Sequence, residues 1–387
     1  MPEPQDPPSS ENYISFLIRS GKLDEYRVSF GQHFAGCLNT HARSILKWMS
    51  SLEAETWEES LEIMNAESPL YICGLARSGT TLLLESLNET GQFATHCYRD
   101  YPFIDIPILW NKWQALQPEN KGQSRERAHF DGIMITPDSP EAFEEMIWMD
   151  FFKDSHNPEF SSVLNESTRN KKFEKYYKTH IQKILWIRNK KRYLAKGNYN
   201  LTRVAYLQSL FPDARFIIPV RDPAAHITSL IKQHALFCEI EKRDKRALKY
   251  MQWAGHHEFG LNRRPINPDN SDATRSVEKA WEDGREIEGW ALYWDTLHRW
   301  VYNTITKNKT LKDRIKIVDF DTLCAAPEQE LAAILDFCDV RLERPKIEAL
   351  ASRIKKPGYY KNAFTNEDLS IIKNTTQDTY RKLLGYK

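Results

Sequence analysis

Apolar residues between positions 12 and 67 recur at helical spacing, as in Ile45, Trp48, Met49 and Leu52, and predict a helical lead-in. At Ser68 the pattern changes. Leu70-Tyr-Ile-Cys73 is a short apolar run that ends at Gly74, and Leu82, Leu83 and Leu87 then mark one buried side of a helix from Thr80 to about Glu89. Strand, glycine-bearing turn and helix open a βαβ unit. A second unit follows, with a strand at Arg192-Tyr-Leu-Ala-Lys196, a helix from Leu201 to Phe211 and the strongest strand pattern at Arg215-Phe-Ile-Ile-Pro-Val220. Pro223 suits the first position of a helix that runs on toward Phe237. Arg314-Ile-Lys-Ile-Val-Asp319 is a further strand, with a helix after Pro327. Strands alternating with helices predict a parallel sheet covered on both faces.

Helical inserts interrupt this frame. Ser139-Pro140 reads as a cap and first-turn pair ahead of a helix from Ala142 to Phe152. Residues 261–275 read as a polar, mobile loop. Residues 276–306 carry a long helical stripe of Trp290, Tyr293, Trp294, Leu297 and Trp300, which is core rather than a cofactor site. From Thr168 to Arg192 ten Lys or Arg stand against one acid, Glu174. The apolar face of that segment makes it an amphipathic helix with a solvated basic side; attraction of an acidic substrate or surface is the alternative.

Composition narrows the class. The chain has 387 residues, 41% hydrophobic and 28% charged, enough for a sizeable core and wrong for a disordered or collagenous chain. Fifty-four Lys and Arg against 53 Asp and Glu make no polyelectrolyte, so nucleic acid is not an expected partner. No apolar run reaches the roughly 18 residues of a membrane span. Residues 1–10 lack a basic start and an apolar stretch, so they read as a disordered tail rather than a secretory signal. The six cysteines show no two- or three-residue spacing, which argues for reduced thiols in the cytoplasm and against a zinc site. The expected organisation is a disordered tail and helical N-terminal extension over 1–68, then one α/β domain over 69–387: a P-loop-like parallel sheet flanked by helices, with helical inserts.

The chemistry concentrates in Gly74-Leu-Ala-Arg-Ser-Gly-Thr-Thr81. Glycines five apart between a strand and a helix match a phosphate-binding loop, whose backbone N–H groups and helix N-terminus attract an anion. A nucleotide kinase carries Lys after the second glycine; here it is Thr80, and the basic group is Arg77 inside the loop. Magnesium-assisted γ-phosphate transfer thereby loses a principal part. A second element, Arg221-Asp-Pro-Ala-Ala-His-Ile-Thr-Ser229, leaves the strongest strand with a guanidinium and, eight residues on, a hydroxyl. Together they suit a second phosphate at the carboxyl ends of the strands.

These two elements resemble those of the sulfotransferases that use 3′-phosphoadenosine 5′-phosphosulfate (PAPS), over about residues 69–385, with the Tyr98-Arg-Asp-Tyr-Pro-Phe103 stretch closer to bacterial-type members. The resemblance implies that Arg77, Ser78, Gly79, Thr80 and Thr81 cradle the 5′-phosphosulfate and that Arg221 and Ser229 hold the 3′-phosphate. It also implies a catalytic role for Lys196 and no metal. Where cytosolic animal members carry a catalytic His this chain has Asn198, which cannot accept a proton. A carboxylate at Asp100, 23 residues after Arg77, falls where other branches place their base, with His96, Asp105, His129 and Asp131 as competitors. Lys356, Tyr359 and Tyr360 fall where members close over the nucleotide. The implied reaction moves a sulfuryl group from PAPS to a hydroxyl or amine of a small-molecule, carbohydrate or lipid acceptor. A P-loop kinase or hydrolase, and a sulfotransferase-like binding protein without a base, are the rivals.

Overall fold

In chain order the strands are β1 (Leu70–Cys73), β2 (Phe93–Ala94), β3 (Arg125–Glu126), β4 (Met134–Ile135), β5 (Arg192–Gly197), β6 (Arg215–Val220) and β7 (Ile315–Asp319). The computed structural model describes residues 10–23, 27–117, 124–356 and 364–386. Five strands form one parallel sheet in the order β2-β5-β1-β6-β7, while β3 and β4 pair antiparallel as a separate hairpin. All four residues of β1 are buried, as expected of a central parallel strand with helices on both faces. The period of two divides its side chains. Tyr71 and Cys73 join Trp148, Phe173, Tyr177 and Trp294 on one face. Leu70 and Ile72 join Leu83, Leu87, Ile334 and Leu335 on the other.

This order decides where the chemistry meets. β1 lies between β5 and β6, with Ile72 opposite both Lys196 and Ile217. In a parallel sheet the three strands end on the same edge, so the Gly74 loop, the Lys196–Asn198 exit and Arg221 emerge side by side.

The N-terminal helices Ser10–Arg19, Phe30–His41, Arg43–Thr56 and Glu58–Glu62 pack on this body. Leu17 and Leu23 lie against Leu236, Ile240 and Ala247. Glu53 pairs with Lys183 at 3.0 Å, both fully enclosed, and Lys183 also donates to the Ser50 carbonyl at 2.7 Å. Residues 1–9, read above as a tail, lie outside the described residues.

Three expectations change. The helix after Ser139-Pro140 spans only Glu145–Phe151. Pro140 instead bridges Cys97, and the Glu141 N–H donates to the His96 carbonyl at 2.9 Å; the backbone partners across the chain outcompete the local cap. The segment 276–306 divides between helices Ser271–Glu282 and Glu286–Lys307, and the aromatic stripe lies wholly on the second. Gly284, at φ +74°, ends the first helix, and the N–H groups of Gly284 and Arg285 return to the Trp281 and Ala280 carbonyls, a two-bond helix stop that needs a left-handed residue. Residues 261–270 are tied down: Arg263 pairs with Glu286 and stacks on Trp281, and Asn267 donates to the Pro158 carbonyl.

The basic segment forms the helix Lys171–Arg188. Its Lys183 and Arg188 point inward to Glu53 and Asp100, so two of its cations bind the fold rather than face solvent.

Candidate functional site

The loop after β1 is shaped by two left-handed residues, Arg77 (φ +71°) and Gly79 (φ +105°). A Cβ on Gly79 would lie 2.4 Å from the Phe320 ring, so glycine is required both by conformation and by space. The helix Thr80–Asn88 starts directly after it, with its N-terminal N–H groups facing the loop. Ser78 Oγ donates to the Leu75 carbonyl at 2.7 Å and holds the turn. His226, from the helix Pro223–Arg243, holds it from the other side. Its Nδ1 accepts from the Trp294 indole at 3.1 Å, so its Nε2 carries the proton and donates to the Ala76 carbonyl at 2.9 Å. Burial pushes this ring down to about 3, and it stays neutral.

The second element arrives at the same place. Arg77 Nε donates to Ser229 Oγ at 3.3 Å, and Arg221, buried, lies over the Phe320 ring with its NH1 3.5 Å from the Arg77 carbonyl. Asp222 caps its helix through the Ala225 N–H at 2.9 Å. Around them is a cavity of about 330 Å³ lined by Arg77, Arg127, Arg221, Arg353, Lys355 and Lys356, with Asp131 the one carboxylate in its wall. Six cationic side chains against one carboxylate give this lining a strongly positive charge. Asp131 accepts from Arg77 at 2.6 Å and from Arg127 Nε at 2.9 Å. Burial alone would raise its carboxyl, but the two guanidinium groups hold it far below the usual range. Lys356 also pairs with Asp321 at 2.9 Å; Tyr359 and Tyr360 lie outside the described residues.

Lys196 lines neither this cavity nor a second one, but it contacts a wall residue of each. Its Nζ is 3.4 Å from Thr81 Oγ1 and 3.8 Å from Glu141, and burial lowers its pKa. The second cavity, about 180 Å³, has Tyr98, Arg127, Glu141 and His256 among its polar lining and Phe143, Phe237, Ile240, Ala247 and Met251 among its apolar lining. Arg127 borders both spaces and donates to Thr81 at 3.1 Å. Arg127, Glu141, His256 and Glu258 are not singled out by the sequence. They come from irregular segments with no motif; only the fold brings them to the ends of β1 and β5.

The structure places Asp100 away from both cavities. It is buried, its two oxygens accept from Arg188 NH2 at 2.6 and 2.8 Å, and it accepts the Cys97 N–H at 2.8 Å. Burial would raise its carboxyl, yet the His96 ring and Arg188 hold it below the usual range. It lines neither cavity. Its neighbour Arg99 pairs with Asp138 instead. Two competitors are also internal: His96 meets His180 at 3.0 Å, and Asp105 accepts from Tyr176. His129 lines the second cavity, but burial and Arg127 push its pKa well down. Asn198 donates to Glu258 at 2.6 Å. Among the described residues no group of three or more His, Cys, Asp or Glu is placed to hold a metal ion.

Comparison with known proteins gives a family. The model of the sulfotransferase family matches residues 69–344. The omega-hydroxy-beta-dihydromenaquinone-9 sulfotransferase Stf3 of Mycobacterium bovis, and that of Mycobacterium tuberculosis, are each 26% identical over 189 residues, which is 45% of this chain and 47% of the relative. The chain thus spans about half the length of the curated relatives it matches. Among solved structures, sulfotransferase STF1 from Mycobacterium tuberculosis aligns over 87% of this chain and 81% of its own at 14% identity and a TM-score of 0.49. Sulfotransferase STF9 from Mycobacterium avium aligns over 85% and 81% at 16% identity and the same TM-score.

Proposed function

The chain belongs to the sulfotransferase family, and we propose that it moves a sulfuryl group from PAPS to the hydroxyl, or amine, of an apolar small-molecule or lipid acceptor. One observation carries the donor assignment: Arg77, which lines the cation-rich cavity, donates at 3.3 Å to Ser229 of the second element, whose Arg221 lines the same cavity. A donor with a phosphate at each end needs both elements at one cavity. In this reading Arg221 and Ser229 take the 3′-phosphate, and Ser78 to Thr81 with the helix N-terminus take the 5′-phosphate. Arg77 neutralises the bridging oxygen as charge moves onto it, and Lys196 faces the sulfuryl oxygens from the Thr81 side. Positioning and electrostatics do most of the work. The apolar lining of the second cavity supports an apolar acceptor, as does the menaquinone-derived acceptor in the name of the Stf3 relatives. We assign the reaction to residues 69–387, with 1–68 as an extension. The six unpaired thiols fit a reducing compartment, the cytoplasm.

Calorimetry tests the donor site. Adenosine 3′,5′-bisphosphate (PAP) is expected to bind more tightly than AMP by about 1.5–3 kcal/mol, the range of a charge-assisted contact, and Arg221→Ala to erase that difference. Equal affinities in the wild type would refute the assignment. Turnover of labelled PAPS that survives excess EDTA would exclude the magnesium-dependent kinase reading, in which chelation stops the reaction.

A further inference from the structure

The residue at the position of the cytosolic members' catalytic histidine, Asn198, is not idle. It directly follows β5, the strand that carries Lys196, and its Nδ2 donates to Glu258 Oε1 at 2.6 Å. The other oxygen of Glu258 faces His256 Nδ1 at 3.5 Å. A second tie holds the same turn, because the His257 N–H donates to the Tyr199 hydroxyl at 3.1 Å. The segment after the helix Lys245–Ala254 is therefore fastened twice to the exit of β5. His256 lines the second cavity, with a side chain 29% exposed. With Nδ1 turned to Glu258, Nε2 is the nitrogen available to a molecule in that cavity.

On the sulfotransferase reading above, we propose that His256, held by Glu258 and through it by Asn198, is the base that takes the proton of the acceptor hydroxyl. The hydroxyl oxygen forms a bond to sulfur. The bond from sulfur to the 5′-phosphate oxygen breaks, and its electron pair leaves on that oxygen as PAP departs. The hydroxyl proton goes to His256 Nε2, and the imidazolium, stabilised by Glu258, later returns it to water. The imidazole absent at position 198 is thus supplied from another segment, with Asn198 as its positioning residue.

The other groups around the cavity fit this role less well. Asp131 lies between two guanidinium groups. Glu141 accepts the Ala142 N–H at 2.7 Å and faces Lys196 and the Tyr98 hydroxyl. Burial would raise the Glu141 carboxyl, but Lys196 and Tyr98 hold it below the usual range, a weak base. The charged groups facing His256 are Glu258 on its own segment, Glu141 ahead of the Glu145 helix and Lys196 on β5. Tyr98, Tyr250, Arg127, His129 and Glu241 share the cavity wall. Burial would lower the His256 pKa and Lys196 opposes its charge, yet Glu258 and Glu141 outweigh both and raise it. A raised pKa makes a stronger base and puts the loss of its neutral form on the acid side of the pH profile.

The test uses the full chain, labelled PAPS and a set of acceptors from 1-octanol and phenol to 4-nitrophenol, which ionises near neutrality. His256→Gln is expected to lower turnover of octanol or phenol by roughly 10²–10⁴-fold, the range of a lost general base, with PAP affinity unchanged by calorimetry. The defect should shrink for 4-nitrophenol, which needs no base. Glu258→Gln should shift the acid limb of kcat/KM to lower pH, because the carboxylate that raises the His256 pKa is gone; a merely structural role would leave that limb in place. If His256→Gln fails to fold, the Glu258→Gln shift and the wild-type acid limb decide. An active wild type whose His256→Gln form keeps its turnover and acid limb overturns the proposal, and so does a matching loss in Glu141→Gln with none in His256→Gln. A wild type that binds PAP no better than AMP and turns over no acceptor overturns the sulfotransferase reading itself, and this proposal with it.

Discussion

Asp100 and Arg77 show how differently two charged residues act once their partners are known. Asp100 is the carboxylate of a buried pair with Arg188. Asp100→Asn would leave that guanidinium largely uncompensated, a loss of about 3–5 kcal/mol for a broken buried pair. The expected result is a lower Tm with turnover of the folded fraction within about threefold of wild type, since no reacting group is lost. The pH dependence has a definite sign. The folded carboxyl lies below its ordinary value, so its stabilisation is present above the unfolded pKa and is lost as pH falls through the folded one. Urea unfolding should show a wide gap between wild type and Asp100→Asn near neutrality and a narrowing gap in strong acid. Arg77, in contrast, faces the cation-lined cavity. Arg77→Ala should weaken PAP binding and lower kcat/KM by about 3–4 kcal/mol in the transition state, with little change in Tm, measured by calorimetry and steady-state kinetics.

The loop and its helix were legible because their pattern is local. A strand, two glycines and a hydroxyl pair need only their neighbours to form a turn ahead of a helix, and the helix begins at Thr80 as expected. Gly79 also depends on a distant partner, since Phe320 fills the space a side chain would need. Gly79→Ala should therefore cost roughly 1–3 kcal/mol for a strained left-handed residue, plus a clash, and should lower PAP affinity. Adding Phe320→Ala should recover the clash but not the strain, so a double-mutant cycle on Tm should be non-additive; strict additivity would refute the contact. Where local signals pointed wrongly, a distant backbone had intervened. Ser139-Pro140 reads as a helix start, yet its neighbours hydrogen-bond to residues 96–98, which delivers Glu141 to the cavity instead.

At the scale of the molecule, the N-terminal helices are joined to the body by apolar packing and by several ion pairs, of which Glu53–Lys183, supported by Ser50, is fully enclosed. Glu53→Gln leaves a buried cation without its carboxylate, again at about 3–5 kcal/mol. Hydrogen exchange should then quicken in the helix Arg43–Thr56 before it does in the sheet; equal protection in both forms would show that the apolar packing and the other ion pairs hold the extension without it.

The sequence by itself determined the parallel α/β frame, the two elements that meet at the cation-lined cavity and the absence of a kinase lysine, because each is written in contiguous residues whose spacing carries the geometry. Only the tertiary structure decided which ionisable groups share a space. Asp100 sits near the loop in sequence but turns to Arg188, while Arg127, Glu141, His256 and Glu258 come together from three segments at the ends of β1 and β5. The physical reason is that a side chain's charge and proton affinity depend on burial and on partners a few ångströms away, and those neighbours are set by strand order and by the crossing of loops, which linear spacing does not encode.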